Sequence, residues 1–200
     1  SGERIIALTQ SLKGYARPDA DERKEVDVRR GIDDVLRLTS HRVHGIDVVC
    51  EYEDVEPVLA HPSKLQQVWT NLIVNAAEAI EDEAADLKAR VEASPASGIP
   101  LPARGHDEAR ITIRVAMDGD QVEVQICDNG PGIAPEVLDR IMEPHFTTKA
   151  GRVRFGLGMG MSIVHSIIAD LDGRLLIDSH PGSTTMRILI PAHHVHEEES

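Results

Sequence analysis

Asp128-Asn129-Gly130-Pro131-Gly132-Ile133 follows the strand-like run 122–127, and its reading decides the fold. A strand that ends in a carboxylate and two glycines sets an acceptor on a rigid edge with bare backbone beside it. A second run, Gly156-Leu157-Gly158-Met159-Gly160, opens the helix-like segment 161–171. Glycines ahead of a helix let main-chain N–H groups approach phosphate oxygens. Between the two lies Glu143-Pro144-His145-Phe146-Thr147-Thr148-Lys149. Together the segments predict a pocket for a phosphorylated base.

Upstream, Pro62 suits the first turn of a helix. Leu65, Val68, Trp69, Leu72, Ile73, Ala76 and Ile80 then form one apolar arc at helical spacing. Lys64, Gln67, Asn71, Asn75 and Glu78 fall on a separate polar stripe. Asparagine is a weak helix former, so two of them four apart need a reason. Solvent exposure explains either alone, whereas a ligand site explains both. Residues 82–92 extend this helix.

Alternation over 111–115 and 122–127 predicts a hairpin around Asp118-Gly119. A short helix is expected over 134–142 with Pro135 in its first turn, and closing strands at 175–177 and 186–190. Nearer the start, 3–15 reads as the end of a longer helix and 19–24 as a charged connector. Val26 and Val28 alternate like a short strand. Residues 32–43 form an amphipathic helix with Ile32, Val35, Leu36 and Val43 on its apolar side. Strands follow at 46–52 and 58–59. Strands interleaved with a few helices on one side predict an α+β, two-layer α/β sandwich. Its sheet is mixed, with about three helices on one face. One domain spans 19–192, with a mobile loop insert at 94–109 and a polar tail at 193–200.

A hydrophobic fraction of 41% supplies a core, but aromatics are 2%, so aliphatic side chains must fill it. The net charge of −13 argues against nucleic acid or an anionic membrane as main partner. It leaves ATP open, because main-chain N–H groups and a metal ion bind phosphate on an acidic protein. Cys50 and Cys127 lie in β-like runs and read as buried, reduced thiols. No apolar run is long enough to span a bilayer and no signal peptide is visible. Ser1-Gly2 has the look of a cloning scar, and a start inside a helix suggests a fragment of something longer.

Four motifs in fixed order make chance a poor explanation. They are Asn71-Leu-Ile-Val-Asn75-Ala-Ala, Asp128-Asn-Gly-Pro-Gly132-Ile133, Glu143-Pro-His-Phe146-Thr-Thr-Lys149 and Gly156-Leu-Gly158-Met-Gly160. In this order they resemble the asparagine, first glycine, phenylalanine and second glycine boxes of the ATP-binding catalytic domain of bacterial sensor histidine kinases. That domain is part of the gyrase, heat-shock chaperone, kinase and mismatch-repair ATPase superfamily. The resemblance covers roughly 26–191 and implies the Bergerat fold.

It implies ATP and Mg2+ as cofactors and gives each box a role. Asp128 sets base choice by accepting from the exocyclic amine of adenine, where guanine presents a carbonyl. Gly130, Gly132 and Ile133 border the base. Asn75 anchors Mg2+ through its amide oxygen, and Asn71 holds a metal-bound water or a phosphate. Gly156, Leu157, Gly158, Met159 and Gly160 fold over the phosphates, and the following helix points its N-terminal dipole at them. Residues 144–155 form a lid, mobile without nucleotide, that Phe146 packs against the body or a partner helix. Lys149, Arg152 and Arg154 contact phosphate or are ordinary surface charges.

Hydrolytic relatives carry a Glu where Asn71 stands, and an amide cannot take a proton from water. Water attack is therefore expected to be slow, and the γ-phosphate is kept for a histidine on a dimerisation domain just before this one. None of the ten histidines lies in the helix-borne acceptor pattern. Residues 1–18 resemble the last turns of the dimerisation helix, so the acceptor is expected to be absent. Glu78 stands where some relatives carry Lys, and both it and Lys64 read as solvated stripe residues. His61 before Pro62 weakens the helix cap, while His145 and His165 read as packing or surface residues. His193, His194 and His196 are a weak candidate metal group.

The expected function is that of a histidine kinase catalytic domain with Asn71 and Asn75 in the catalytic role. Its partners are ATP, the dimerisation domain and a response regulator. It makes no contact with nucleic acid or membrane, and it is cytoplasmic. The alternative is a nucleotide-binding regulatory module without phosphotransfer. A hydrolysing ATPase machine is a third class, disfavoured by Asn71.

Overall fold

The computed structural model describes residues 22–93, 109–138, 140–141 and 160–194. Period-two alternation builds its sheet. β4 (Arg110–Asp118) and β5 (Gln121–Asp128) bury Ile111, Ile113 and Val115 on one strand and Val122, Val124 and Ile126 on the other. The two-residue connection Gly119-Asp120 joins them, with Gly119 at φ 60°, the positive φ that such tight hairpins need. Across the next ladder, Ile126, Val124 and Val122 face Met186, Ile188 and Ile190 of β7 (Ser183–Pro191). β6 (Arg174–His180) pairs antiparallel on the far side of β7. β2 (Asp47–Tyr52) pairs with β4 as the parallel edge. The order is β2-β4-β5-β7-β6, a mixed five-stranded sheet. β1 (Lys24–Val26) and β3 (Val58–Ala60) form a separate antiparallel pair, and Val58 also bridges Ala192 just past β7.

Helices cover one face of that sheet. α2 (Pro62–Ala93) buries Leu65, Val68, Trp69, Leu72, Ile73, Ala76, Ala77 and Ile80, the i, i+3, i+4 spacing of one helical face. It packs between α1 (Val28–Leu38) and α4 (Gly160–Ala169) and lies over β5. One continuous core joins the three helices to the inward residues of the sheet. Trp69 is its largest fully buried side chain and the remainder is almost entirely aliphatic.

Several expectations need correction. Val28 is the first residue of α1, not part of a strand, because Asp27 ends the extended run. Its Oδ1 accepts from the Arg29 main-chain N–H at 3.0 Å and caps the helix. α1 then stops at Leu38, not Val43. Thr39 closes it by donating both N–H and Oγ1–H to the Val35 carbonyl, at 2.8 and 2.7 Å. Val43 reaches the core from a turn instead. α3 is only Pro135–Leu138, with Arg140 and Ile141 already in a turn. Cys50 and Cys127 are unpaired, but Cys50 is exposed and Cys127 half-buried. Cys127 points away from the buried row Val122, Val124 and Ile126, whereas Cys50 lies on the edge strand β2, level with Ile113. The expected helix 3–15, most of the insert 94–109, and the tail beyond residue 194 lie outside the described residues. No described helix is long and apolar enough to cross a membrane.

The cap on α1 supplies a test. Asp27→Ala is expected to lower stability by about 1 kcal/mol in denaturant unfolding. Asp27→Asn, which keeps a capping oxygen but loses the 3.0 Å ion pair with Arg29, should recover most of that loss. Equal losses in both variants would assign the effect to the ion pair.

Candidate functional site

The alternation that buries Val122, Val124 and Ile126 makes Asp128 the next inward position on β5, where the apolar run ends. It is 5% exposed. Its Oδ1 accepts from the Gly130 main-chain N–H at 3.0 Å. Burial pushes its carboxyl up to about 6, the Gly130 N–H pulls the other way, and the charge of Glu83 on α2 adds to the rise. At neutral pH it is a buried carboxylate with Oδ2 left to meet a donor.

The glycines beside it sit in close quarters. A Cβ on Gly130 would lie 2.8 Å from Asp128 Oδ1 and 3.5 Å from the Ala79 Cβ of α2. Gly132, at φ 83°, would bring a Cβ to 2.3 Å from the His180 carbonyl oxygen. The Ile133 N–H donates to Ser179 Oγ at 2.8 Å, so the segment after β5 is held against the end of β6.

Asn71 and Asn75 occupy the other end of the site. A Cβ built on Gly160, the first residue of α4, would lie 3.5 Å from Asn71 Oδ1 and 4.0 Å from Asn75 Nδ2. Asn75 Nδ2 donates to Met161 Sδ at 3.6 Å, which leaves the amide oxygen to meet a cation. Asn71 Nδ2 is buried and has no hydrogen-bond partner among the described residues. A buried amide donor left unpaired costs about 1–3 kcal/mol, and such an orphan in a native structure calls for a missing acceptor.

α2 therefore carries the site along one ridge. Asn71 and Asn75 face the start of α4, Ala79 packs against Gly130, and Glu83 acts on Asp128. The four positions are four residues apart, which places them on one side of the helix over a span of roughly 18 Å. A base at the Asp128 end and a chain of phosphates toward α4 match that span. The predicted site residues Asn71, Asn75, Asp128, Gly130, Gly132, Ile133 and Gly160 thus line one continuous strip. Phe146, Lys149, Gly156, Leu157, Gly158 and Met159 lie outside the described residues, as do His145, Arg152 and Arg154.

The stripe corrects one reading. Glu78 is not solvated, because its Oε1 accepts from Arg42 at 3.3 Å in a half-buried ion pair. Lys64 is more exposed and stands 3.8 Å from Asp170.

Residues 60–194 match the family described as histidine kinase-, DNA gyrase B-, and HSP90-like ATPase. The chain belongs to this family. It is 31% identical to the sensory histidine kinase/phosphatase NtrB of Rhizobium leguminosarum bv. phaseoli over 95% of its own length and 47% of that protein. It is also 31% identical to the sensor kinase CckA of Brucella abortus, over 96% of this chain and 19% of that one. The chain therefore spans about half the length of the NtrB relative or less of the others. Among solved structures, the nucleotide-free catalytic domain of histidine kinase ThkA matches with a TM-score of 0.63. That match has 26% identity and covers 86% of this chain and 96% of that one.

In this member of the ATPase family, motif reading missed four contributors. Ser179 and Thr184 continue the Asp128 row across the sheet, since Asp128 pairs with Thr184 and Thr184 with Ser179. Their hydroxyl oxygens are 2.9 Å apart and Thr184 is 4% exposed. An otherwise apolar sheet face thus ends in a polar row, and period-two counting past Ile177 and Met186 was the signal for it. Ala79 and Glu83 are the others, each a turn further along the asparagine ridge.

Proposed function

We propose that this chain is the ATP-binding catalytic domain of a sensor histidine kinase, passing the γ-phosphate to a histidine on a dimerisation domain and so to a response regulator. The single ridge of α2, from an unpaired amide at Asn71 to a buried carboxylate beside Glu83, is the observation that supports it. Asp128 Oδ2 accepts from the exocyclic amine of adenine while Oδ1 stays on Gly130. Gly130, Gly132 and Ile133 leave room for the ring. Asn71 Nδ2 donates to a phosphate oxygen or to water beside it. Gly160 opens α4 toward the phosphates, and the motif resemblance adds Gly156, Leu157, Gly158, Met159, Phe146 and Lys149 as nucleotide-binding residues.

Among the described residues no three His, Cys, Asp or Glu side chains gather as a metal site. Mg2+ binds through few protein oxygens and takes the remainder from water and phosphate. The Asn75 amide oxygen would hold it, and the ion would neutralise charge on the β- and γ-phosphates. Asn71 cannot act as a base, so the domain positions ATP for an incoming imidazole nitrogen instead of activating water. The domain works where ATP is supplied, in the cytoplasm.

Two measurements test this. Thermal unfolding with ATP, ADP and GTP, each with and without Mg2+, should show a raised midpoint for the adenine nucleotides and none for GTP. Incubation with labelled ATP and an added dimerisation-helix pair should label a histidine. Binding without transfer would make the chain a regulatory module. A GTP shift equal to that of ATP would sink the base assignment.

A further inference from the structure

Glu78 presents a problem for a site that takes phosphate. It lies three residues after Asn75 on the same side of α2, and its side chain is 19% exposed. A carboxylate there repels a polyphosphate unless a cation stands between them. The structure sets a guanidinium against it. Arg42, in the turn after α1, reaches Glu78 Oε1 at 3.3 Å, and its own side chain is 30% exposed. That turn is built, not slack, because the Arg42 N–H donates to the Thr39 carbonyl at 2.7 Å and Thr39 caps α1. A guanidinium has five N–H donors in a plane, and one carboxylate oxygen leaves the others to be used.

We propose that Arg42 is a phosphate-positioning residue, held by Glu78 beside Asn75 so that its remaining N–H groups donate to the terminal phosphate oxygens of the bound nucleotide. The inference rests on the nucleotide reading of the site. It adds a cation from the α1–β2 turn, a segment with no part in the four motifs. Glu78 is the anchor and Arg42 the contact.

The test is calorimetric titration of the wild type, Arg42→Gln, Arg42→Lys and the charge swap Arg42→Glu with Glu78→Arg, each with Mg-ATP and with adenosine. Loss of a charge-assisted bond predicts ATP affinity weakened about tenfold or more in Arg42→Gln. Adenosine affinity should be unchanged. The swap puts a guanidinium at the same place from the other side and should restore ATP affinity to within about threefold of wild type. Arg42→Lys should fall between. Wild-type ATP affinity in Arg42→Gln, or equal losses for ATP and adenosine, would overturn the proposal and leave the pair a staple of the fold. If Arg42→Gln does not fold, the swap and Arg42→Lys decide by the same ATP-to-adenosine ratio. A wild type that binds neither ligand defeats the nucleotide reading itself, a different result from any of these.

Discussion

Asp128→Asn is expected to weaken adenine-nucleotide binding about a hundredfold or more while removing the pH dependence that the buried carboxyl gives to the stability of the unliganded domain. The buried carboxyl titrates at about 6 instead of 3.8, burial being the main cause. A raised carboxylate value means the folded state holds the proton more tightly than the unfolded chain. Between pH 4 and 6, roughly, the folded state therefore carries more protons, and stability falls as pH rises. Above that window the whole cost of the buried charge is present, about 1–3 kcal/mol at a two-unit shift. Asparagine carries no charge and can still accept from Gly130 through Oδ1. Relative to wild type, the midpoint of Asp128→Asn should gain as pH rises from 4 to 8, over a constant cost of about 1–3 kcal/mol for the amide donor that nothing meets.

Binding should weaken. With Oδ1 kept on Gly130, the variant turns an NH2 group toward the exocyclic amine of adenine, donor against donor. A loss of about a hundredfold or more in ATP affinity is expected, since a site built around one hydrogen bond suffers most when that bond is inverted. Titration of ATP at pH 8 checks it. Unchanged affinity would remove Asp128 from the base site, whatever the midpoint did.

Gly132→Ala is the second large effect, and Gly45 is its control. Both glycines sit at φ 83°, yet a Cβ at Gly45 meets nothing within 4 Å and one at Gly132 meets the His180 carbonyl oxygen at 2.3 Å. The left-handed conformation alone should cost alanine about 1 kcal/mol. That is the expectation for Gly45→Ala. For Gly132→Ala the segment after β5 must also move off the end of β6. A loss of about 3 kcal/mol in all is expected, a fall of roughly 6–12 °C in the midpoint for a chain of this size. The difference between the two variants isolates the close approach. Equal losses would mean that the β6–β7 turn yields.

How far the sequence could be read depended on what each signal measures. The long apolar arc of α2 and the alternation of β4 and β5 are repeated over many residues, so both elements stand as expected. Short signals failed where a single side chain outvoted the pattern. Asp27 turned an apparent strand at Val28 into a helix start, because its carboxylate satisfied an N–H that the helix leaves unpaired. Thr39 cut α1 short by the mirror-image means. Cys50 looked buried because β-runs usually are, but it lies on the edge strand β2, where it stays exposed although it is level with the buried Ile113. Asn71 and Asn75 drew notice as weak helix formers inside a strong helix, and both lie against Gly160 at the start of α4. Ser179 and Thr184 did not, because a hydroxyl on a strand has many reasons to be there. Glu78 was misread for a related cause. Its partner Arg42 is far away in the chain, and no local count reveals it.

The register of the sheet has one more consequence. β4–β5 and β6–β7 are each neighbouring hairpins that can form locally, whereas Asp128 and Thr184 are more than fifty residues apart in sequence and meet only along the β5–β7 seam. Zipping that seam is the slow, loop-closing event of the topology. Neither half of the molecule by itself brings Asp128 and Thr184 together. The polar row Asp128, Thr184 and Ser179 is thus born at the same instant as the fold, and a partly assembled chain lacks it until that seam closes.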